Sequence, residues 1–297
     1  MRMLIAVDGS KPALDAVRMA GRLLDPATDL VALYYSPRDL EKRVPQASRS
    51  IIGGAAAAVF DDARAALPAD VAARAEFIQS DAAAAAGILA SASNWQADMV
   101  VVGARGHSGL QNFLLGSVSR GVVHGADRPV LVVRAEAAAD RGPKVLACHH
   151  PASATAVAKA LGHVRWPAGT EGLVIGVAES LLAGPLPSWL ENRVRDPDTA
   201  AIAKAWEQEH AGEVGRISKR LDEFQQSLPK AFHGSKPIVL EGNPGDRIIA
   251  TAKSDHDDLI VIGRTPTDAL TRWLLGSTSE AVLMHAHTNV LLVPVSR

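Results

Sequence analysis

Residues 98–133, DMVVVGARGHSGLQNFLLGSVSRGVVHGADRPVLVV, return 160 positions later without a gap as residues 258–293, DLIVIGRTPTDALTRWLLGSTSEAVLMHAHTNVLLV. Fourteen of the 36 positions are identical, among them Gly103, Leu115, Gly116, Ser117, Ser119 and Val133, and most others exchange one aliphatic residue for another. Self-similarity of that length marks an internal repeat, and the repeat governs the fold. Each copy opens and closes on an unalternated aliphatic run, which is the pattern of a strand buried on both faces. The stretch between, from about Gly116 to Ala126, has the length of a helix.

The two starts match as well, MLIAVDGSKPALDAV against KVLACHHPASATAV, but at an offset of 141 that sets His149 against Asp8. The second copy therefore carries 19 more residues between its start and its core, and they fall at 179–198. This places one domain at 1–136, a linker at 137–143 and a second domain at 144–297. Short aliphatic runs alternate with helix-length segments in both, which gives βαβ units with right-handed crossovers. The expectation is α/β: two tandem flavodoxin-like, doubly wound domains, each a five-stranded parallel sheet with helices on both faces. Residues 198–228 predict a long helix, with Ile217, Leu221, Phe224 and Leu228 on one apolar face. In such sheets ligands sit at the carboxyl ends of the strands, at the switch point, where Asp8 and Gly103 fall.

The totals narrow the partners. The 297 residues carry 31 Lys+Arg against 32 Asp+Glu, so no bulk charge draws the chain to nucleic acid or to an acidic membrane. Cys148 is the single cysteine, which excludes an intrachain disulfide and a cysteine metal cluster. The opening MRMLIAVDGS has too short an apolar run for a signal peptide, and no stretch approaches the ~20 apolar residues that span a bilayer. The expected location is the cytoplasm.

The chemically suggestive spacing is Gly103-x2-Gly106-x9-Gly116-Ser117. The first pair follows a strand and lets backbone approach a ligand; the second opens a helix, whose free amides and dipole favour an anion. Val118 and Ser119 continue that turn, and Arg105 supplies positive charge. The combination predicts a phosphate cradle, yet neither G-x-x-x-x-G-K-[ST] nor G-x-G-x-x-G occurs. His149-His150 and His285-Ala-His287 lack the spacing that aims two imidazoles at one metal, so no metal site is expected.

The strand ending in V-D-G-S, the G-x2-G-x9-G-[ST] loop and the closing P-V-L-V-V strand together resemble the universal stress protein family. The resemblance covers nearly the whole chain as two copies. It implies a stress-response role and binding of ATP or another adenine nucleotide, with or without Mg²⁺, in the first domain. It implies Asp8 at the adenosine part, Gly103, Gly106, Gly116, Ser117, Val118 and Ser119 at the phosphates, and Tyr35 near the adenine. In the second copy Gly263, Gly276 and Ser277 survive, while His149 replaces Asp8 and Pro266 replaces Gly106, so that site is degenerate. The nucleotide is then a conformational ligand rather than fuel, and no catalytic residue is assigned. The PVLVV and NVLLV strands are expected to pair within the chain, covering two sheet edges; a homodimer and a protein partner stay open. The rival readings are a slow ATPase, or an interaction scaffold whose second domain takes an apolar ligand against the segment 181–190.

Overall fold

The computed structural model describes residues 1–38, 49–105, 115–135, 141–178, 197–264 and 276–295. Ten strands form one sheet in the order β3-β2-β1-β4-β5-β10-β9-β6-β7-β8. The first five are β1 (Arg2–Ala6), β2 (Leu30–Tyr35), β3 (Glu76–Gln79), β4 (Met99–Gly103) and β5 (Val130–Val133). They are parallel to one another, with β1 between β2 and β4. The last five are β6 (Lys144–Cys148), β7 (Glu171–Ala178), β8 (Ile238–Glu241), β9 (Leu259–Arg264) and β10 (Asn289–Pro294), and they repeat the same order.

The two sets join where β5 and β10 run antiparallel, with Val130, Leu131 and Val132 opposite Leu292, Leu291 and Val290. The expected pairing within the chain is thus what fuses two five-stranded sheets into one. Each parallel set needs helices to return the chain, and they cover both faces. In the first half these are α1 (Lys11–Leu23), α2 (Arg49–Ala65), the single turn α3 (Ala69–Ala72), α4 (Ala84–Asn94) and α5 (Ser117–Gly125). In the second half they are α6 (Ala154–His163), α7 (Pro197–Gln226), α8 (Pro244–Ser254) and α9 (Ser277–His285).

Alternate residues of the strands feed two separate cores. Met3, Ile5, Val101, Leu131, Leu259 and Leu291 pack on one face; Leu4, Val100, Val130, Val132, Ile260 and Val290 pack on the other. Both cores run unbroken through the β5–β10 junction, so the halves share their hydrophobic interior. The long helix α7 presents Leu221 and Phe224 to the first core, with Ile217 alongside; Leu228, two residues past its end, joins them. Arginines tie the junction further. Arg264 donates to the carbonyls of Val123 (2.7 Å), His124 (3.3 Å) and Ala126 (3.0 Å) at the end of α5, and Arg134 donates to Leu283 at the end of α9. Burial, with Arg105 nearby, brings the Arg134 guanidinium down to about 10.

Gly106, Pro266 and the segment 181–190 lie outside the described residues, as does most of the inserted stretch 179–198. No helix among the described residues is long and apolar enough to cross a membrane.

Candidate functional site

A cleft of about 590 Å³ opens at the carboxyl ends of β1 and β4, where the strand order reverses. It brings together Asp8, Tyr35, Gly103, Arg105, Gly116, Ser117, Val118 and Ser119. Every described residue that the sequence assigns to the first site therefore lines one cavity.

The loop after β1 fixes Asp8. Its Oδ1 accepts from the Ser10 amide at 2.9 Å and from the Ser10 hydroxyl at 2.5 Å, while Gly9 between them takes a left-handed φ of 79°. Ser10 then caps α1, accepting from the Ala13 amide at 3.4 Å. One serine thus starts the helix and orients the carboxylate.

The two motif glycines differ in why they are glycine. At Gly103 a Cβ would lie 2.9 Å from the backbone C and O of Pro12, so close packing of β4 against the start of α1 demands the glycine. Packing alone accounts for this glycine, which also lines the cleft. At Gly116 the backbone has φ −62° and ψ 153°, open to any residue, and among the described residues a Cβ would meet nothing nearer than 3.4 Å. The described neighbours do not ask for glycine there. Gly116 precedes α5, whose first turn has no side-chain cap. Its amides face the cleft as donors that no earlier turn of helix can satisfy.

Tyr34 was not singled out by the sequence. It and Tyr35 point to opposite faces of β2, and both reach the cleft. Tyr35 packs edge-on against Phe60 with ring centroids 6.1 Å apart. The Tyr34 hydroxyl is buried against Gly87, with the Ser36 and Ser80 side chains beside it. Burial also raises the pKa of that phenol above its usual range, so it stays a donor.

The second half departs from the sequence alignment at one place. Strand register pairs Met3 with Met99 and Val145 with Leu259, which makes the offset between β1 and β6 142 rather than 141. Consistently, Val7 donates to the carbonyl of Tyr34 and His149 to that of Ile175, both at 2.8 Å. His149 is thus the counterpart of Val7, and His150 that of Asp8. The loops after the two strands differ in length, and the ungapped alignment absorbed the difference in the wrong place. His150 Nδ1 even accepts from the amide two residues on, Ala152, at 3.3 Å, as Asp8 accepts from Ser10. His149 instead lies against Phe224, centroids 5.2 Å apart, and burial beside His150 and Arg220 lowers its pKa. Gly263 ends up in β9, and Gly276 and Ser277 open α9 as Gly116 and Ser117 open α5.

The profile of the universal stress protein family matches residues 1–134 and 192–294, most of the chain. The chain belongs to the universal stress protein family. A universal stress protein of Mycolicibacterium smegmatis is 32% identical over 203 residues, 66% of this chain and 62% of that protein. A universal stress protein of Synechocystis is 43% identical over 70 residues, 24% of this chain and 64% of that protein. The chain thus spans less than two thirds of either relative. Among solved structures, a universal stress protein from Archaeoglobus fulgidus superposes with a TM-score of 0.60 at 18% identity, covering 99% of this chain and 96% of that one. A functionally unknown protein from Pseudomonas aeruginosa superposes at 0.59 and 14% identity, covering 99% and 92%. At those identities the superpositions establish the shared fold.

Proposed function

We infer that this universal stress protein binds an adenine nucleotide in the first-half cleft, with the phosphates at the start of α5. The observation that carries the reading is Gly116: among the described residues nothing stands within 3.4 Å of where its side chain would be, so the glycine suits a ligand that approaches the helix start. Backbone amides at a helix start, with the dipole behind them, suit a phosphate, and the Ser117 hydroxyl adds a donor. Arg105 lies in the same wall and supplies a full positive charge. At the other end, Asp8 is held by Ser10 as an acceptor. Polar groups fixed before a ligand arrives lose little freedom on binding.

The residues present fit ATP, which would supply a triphosphate tail for the α5 amides and a base for the apolar wall of Ala58, Val59 and Ile88. We read the nucleotide as a ligand that sets conformation. The helix that receives the phosphates leads into β5, and β5 is the strand that pairs with β10. In the second half an imidazole stands at the place of the Asp8 carboxylate, which removes an anionic acceptor, so the first half is the nucleotide-binding one. Photolabelling with 8-azido-ATP, followed by peptide mapping, tests this reading. Label is expected on peptides spanning β2 to α4 and is competed by ATP. Label confined to residues beyond 144 would overturn it.

A further inference from the structure

The repeat exposes a second site, at the opposite end of the sheet. In the first half, Arg128 reaches under the C-terminal end of α4. Its Nη1 donates to the carbonyls of Ala92 (2.8 Å) and Ala97 (2.7 Å), its Nη2 to Ser93 Oγ (3.2 Å) and its Nε to Asp127 Oδ1 (2.8 Å). Carbonyls left over at a helix C-terminus attract a cation, and here the chain supplies its own.

In the second half, 160 residues on, Thr288 stands at the position of Arg128, Ala252 at that of Ala92 and Asp257 at that of Ala97. The backbone around them is the same. Ala97 donates to the Ala92 carbonyl at 2.8 Å and Asp257 to the Ala252 carbonyl at 2.9 Å; Gln96 and His256 share a left-handed φ of 53° and 54°. The space that Arg128 fills in one half is, in the other, a cavity of about 340 Å³ walled by Ala252, Asp257 and Thr288. The charge has changed with the shape. Where the first half has a buried alanine, the second has Asp257, 8% exposed, whose Oδ2 has no hydrogen-bond partner among the described residues. A carboxylate in such a place calls for a partner.

We propose that the cavity under the C-terminal end of α8 binds a small alkylguanidinium, held by the Asp257 carboxylate and the Ala252 and Asp257 carbonyls as the first half holds the guanidinium of Arg128. A planar fork of N–H donors matches a carboxylate and adjacent carbonyls better than a compact ammonium does. Ile249 and Ile260 in the same wall suit a short aliphatic arm. Among the described residues no three His, Cys, Asp or Glu side chains converge to hold a metal instead.

The nearby charges leave Asp257 without a partner. Arg141 and Lys144 both draw the Asp257 carboxyl down, but Arg141 is engaged by Asp258 at 2.6 and 3.1 Å and Lys144 donates to the Asp255 carbonyl at 3.4 Å. Asp255 and Asp258 act the other way, and Lys253, His256 and His287 complete the charged and titratable rim. Burial and the neighbouring carboxylates hold Asp257 up at about 7. Cation binding therefore displaces a proton and strengthens between pH 6 and pH 8.

Calorimetric titration of the full chain with millimolar ethylguanidinium tests the proposal, with tetramethylammonium as a cation that has no N–H. The expected result is binding at one site, stronger at pH 8 than at pH 6. It weakens at least tenfold in Asp257→Asn and disappears in Thr288→Arg, whose own side chain fills the cavity as Arg128 does. Absence of saturable binding, equal binding of tetramethylammonium, or unchanged binding by folded Thr288→Arg would overturn it. Thr288→Arg leaves the carboxylate in place, so its result stands whether or not Asp257→Asn folds.

Discussion

The Ser119 hydroxyl donates to the Gly103 carbonyl at 2.6 Å, tying the first turn of α5 to the last residue of β4 beside the nucleotide cleft. The second half lacks this tie, because Ser279 turns back to the Gly276 carbonyl at 3.0 Å within its own turn. Ser119→Ala leaves the strand-end carbonyl without this donor and is expected to cost about 1 kcal/mol. Urea unfolding measures the loss. Ser279→Ala, made in parallel, removes only a bond within one turn and should cost less.

The two cleft glycines separate packing from binding. Gly103→Ala forces a Cβ to within 2.9 Å of the Pro12 backbone, which cannot rotate away, and is expected to destabilise the chain by about 1–3 kcal/mol. Gly116→Ala meets nothing nearer than 3.4 Å and should melt close to wild type. Thermal denaturation of the pair gives the contrast directly.

The cross-junction arginine is a third test. Arg264→Ala removes donors from three carbonyls at the end of α5, a helix of the other half. A loss of about 2 kcal/mol is expected from charge-assisted bonds of this kind. A urea midpoint lowered by that free energy divided by the slope, with the slope unchanged, is the signature of a weakened but still cooperative two-half unit.

Asp257 makes stability depend on pH. Its carboxyl titrates at about 7 in the fold against an ordinary 3.8. Between those values the folded chain holds a proton that the unfolded chain has lost, so this residue lowers stability as pH rises from about 4 to 7. Above 7 its full penalty is present, with a ceiling of about 4 kcal/mol. Asp257→Ala restores the residue that the first half has at Ala97. It should melt above wild type at pH 8, and the gap should close as the pH approaches 4.

Most of the architecture is legible in the sequence because buried parallel strands write themselves as continuous aliphatic runs, and here they do so twice. The ungapped offset of 160 locates β4, α5 and β5 and their copies, and it places Gly116 and Ser117 at a helix start. What it could not locate is the β6–α6 loop, where a short length difference moves the counterpart of Asp8 from His149 to His150. Nor does it distinguish Gly103, glycine because Pro12 presses on it, from Gly116, glycine with no such neighbour. The exchange of Ala97 and Arg128 for Asp257 and Thr288 is visible in the aligned repeats, but its meaning depends on Arg128 touching Ala97, a contact between residues 31 apart in sequence. Tyr34 was hidden for a similar reason, since its place in the cleft wall depends on strands and helices far apart in sequence.

The most direct measurement is calorimetric titration of the full chain with ATP, for wild type and for Gly116→Asp, which places a carboxylate where the phosphates are expected. The account predicts one ATP per chain for wild type, and at least tenfold weaker binding by a Gly116→Asp protein that still melts cooperatively. Two ATP molecules per chain, or unchanged affinity in folded Gly116→Asp, would contradict it.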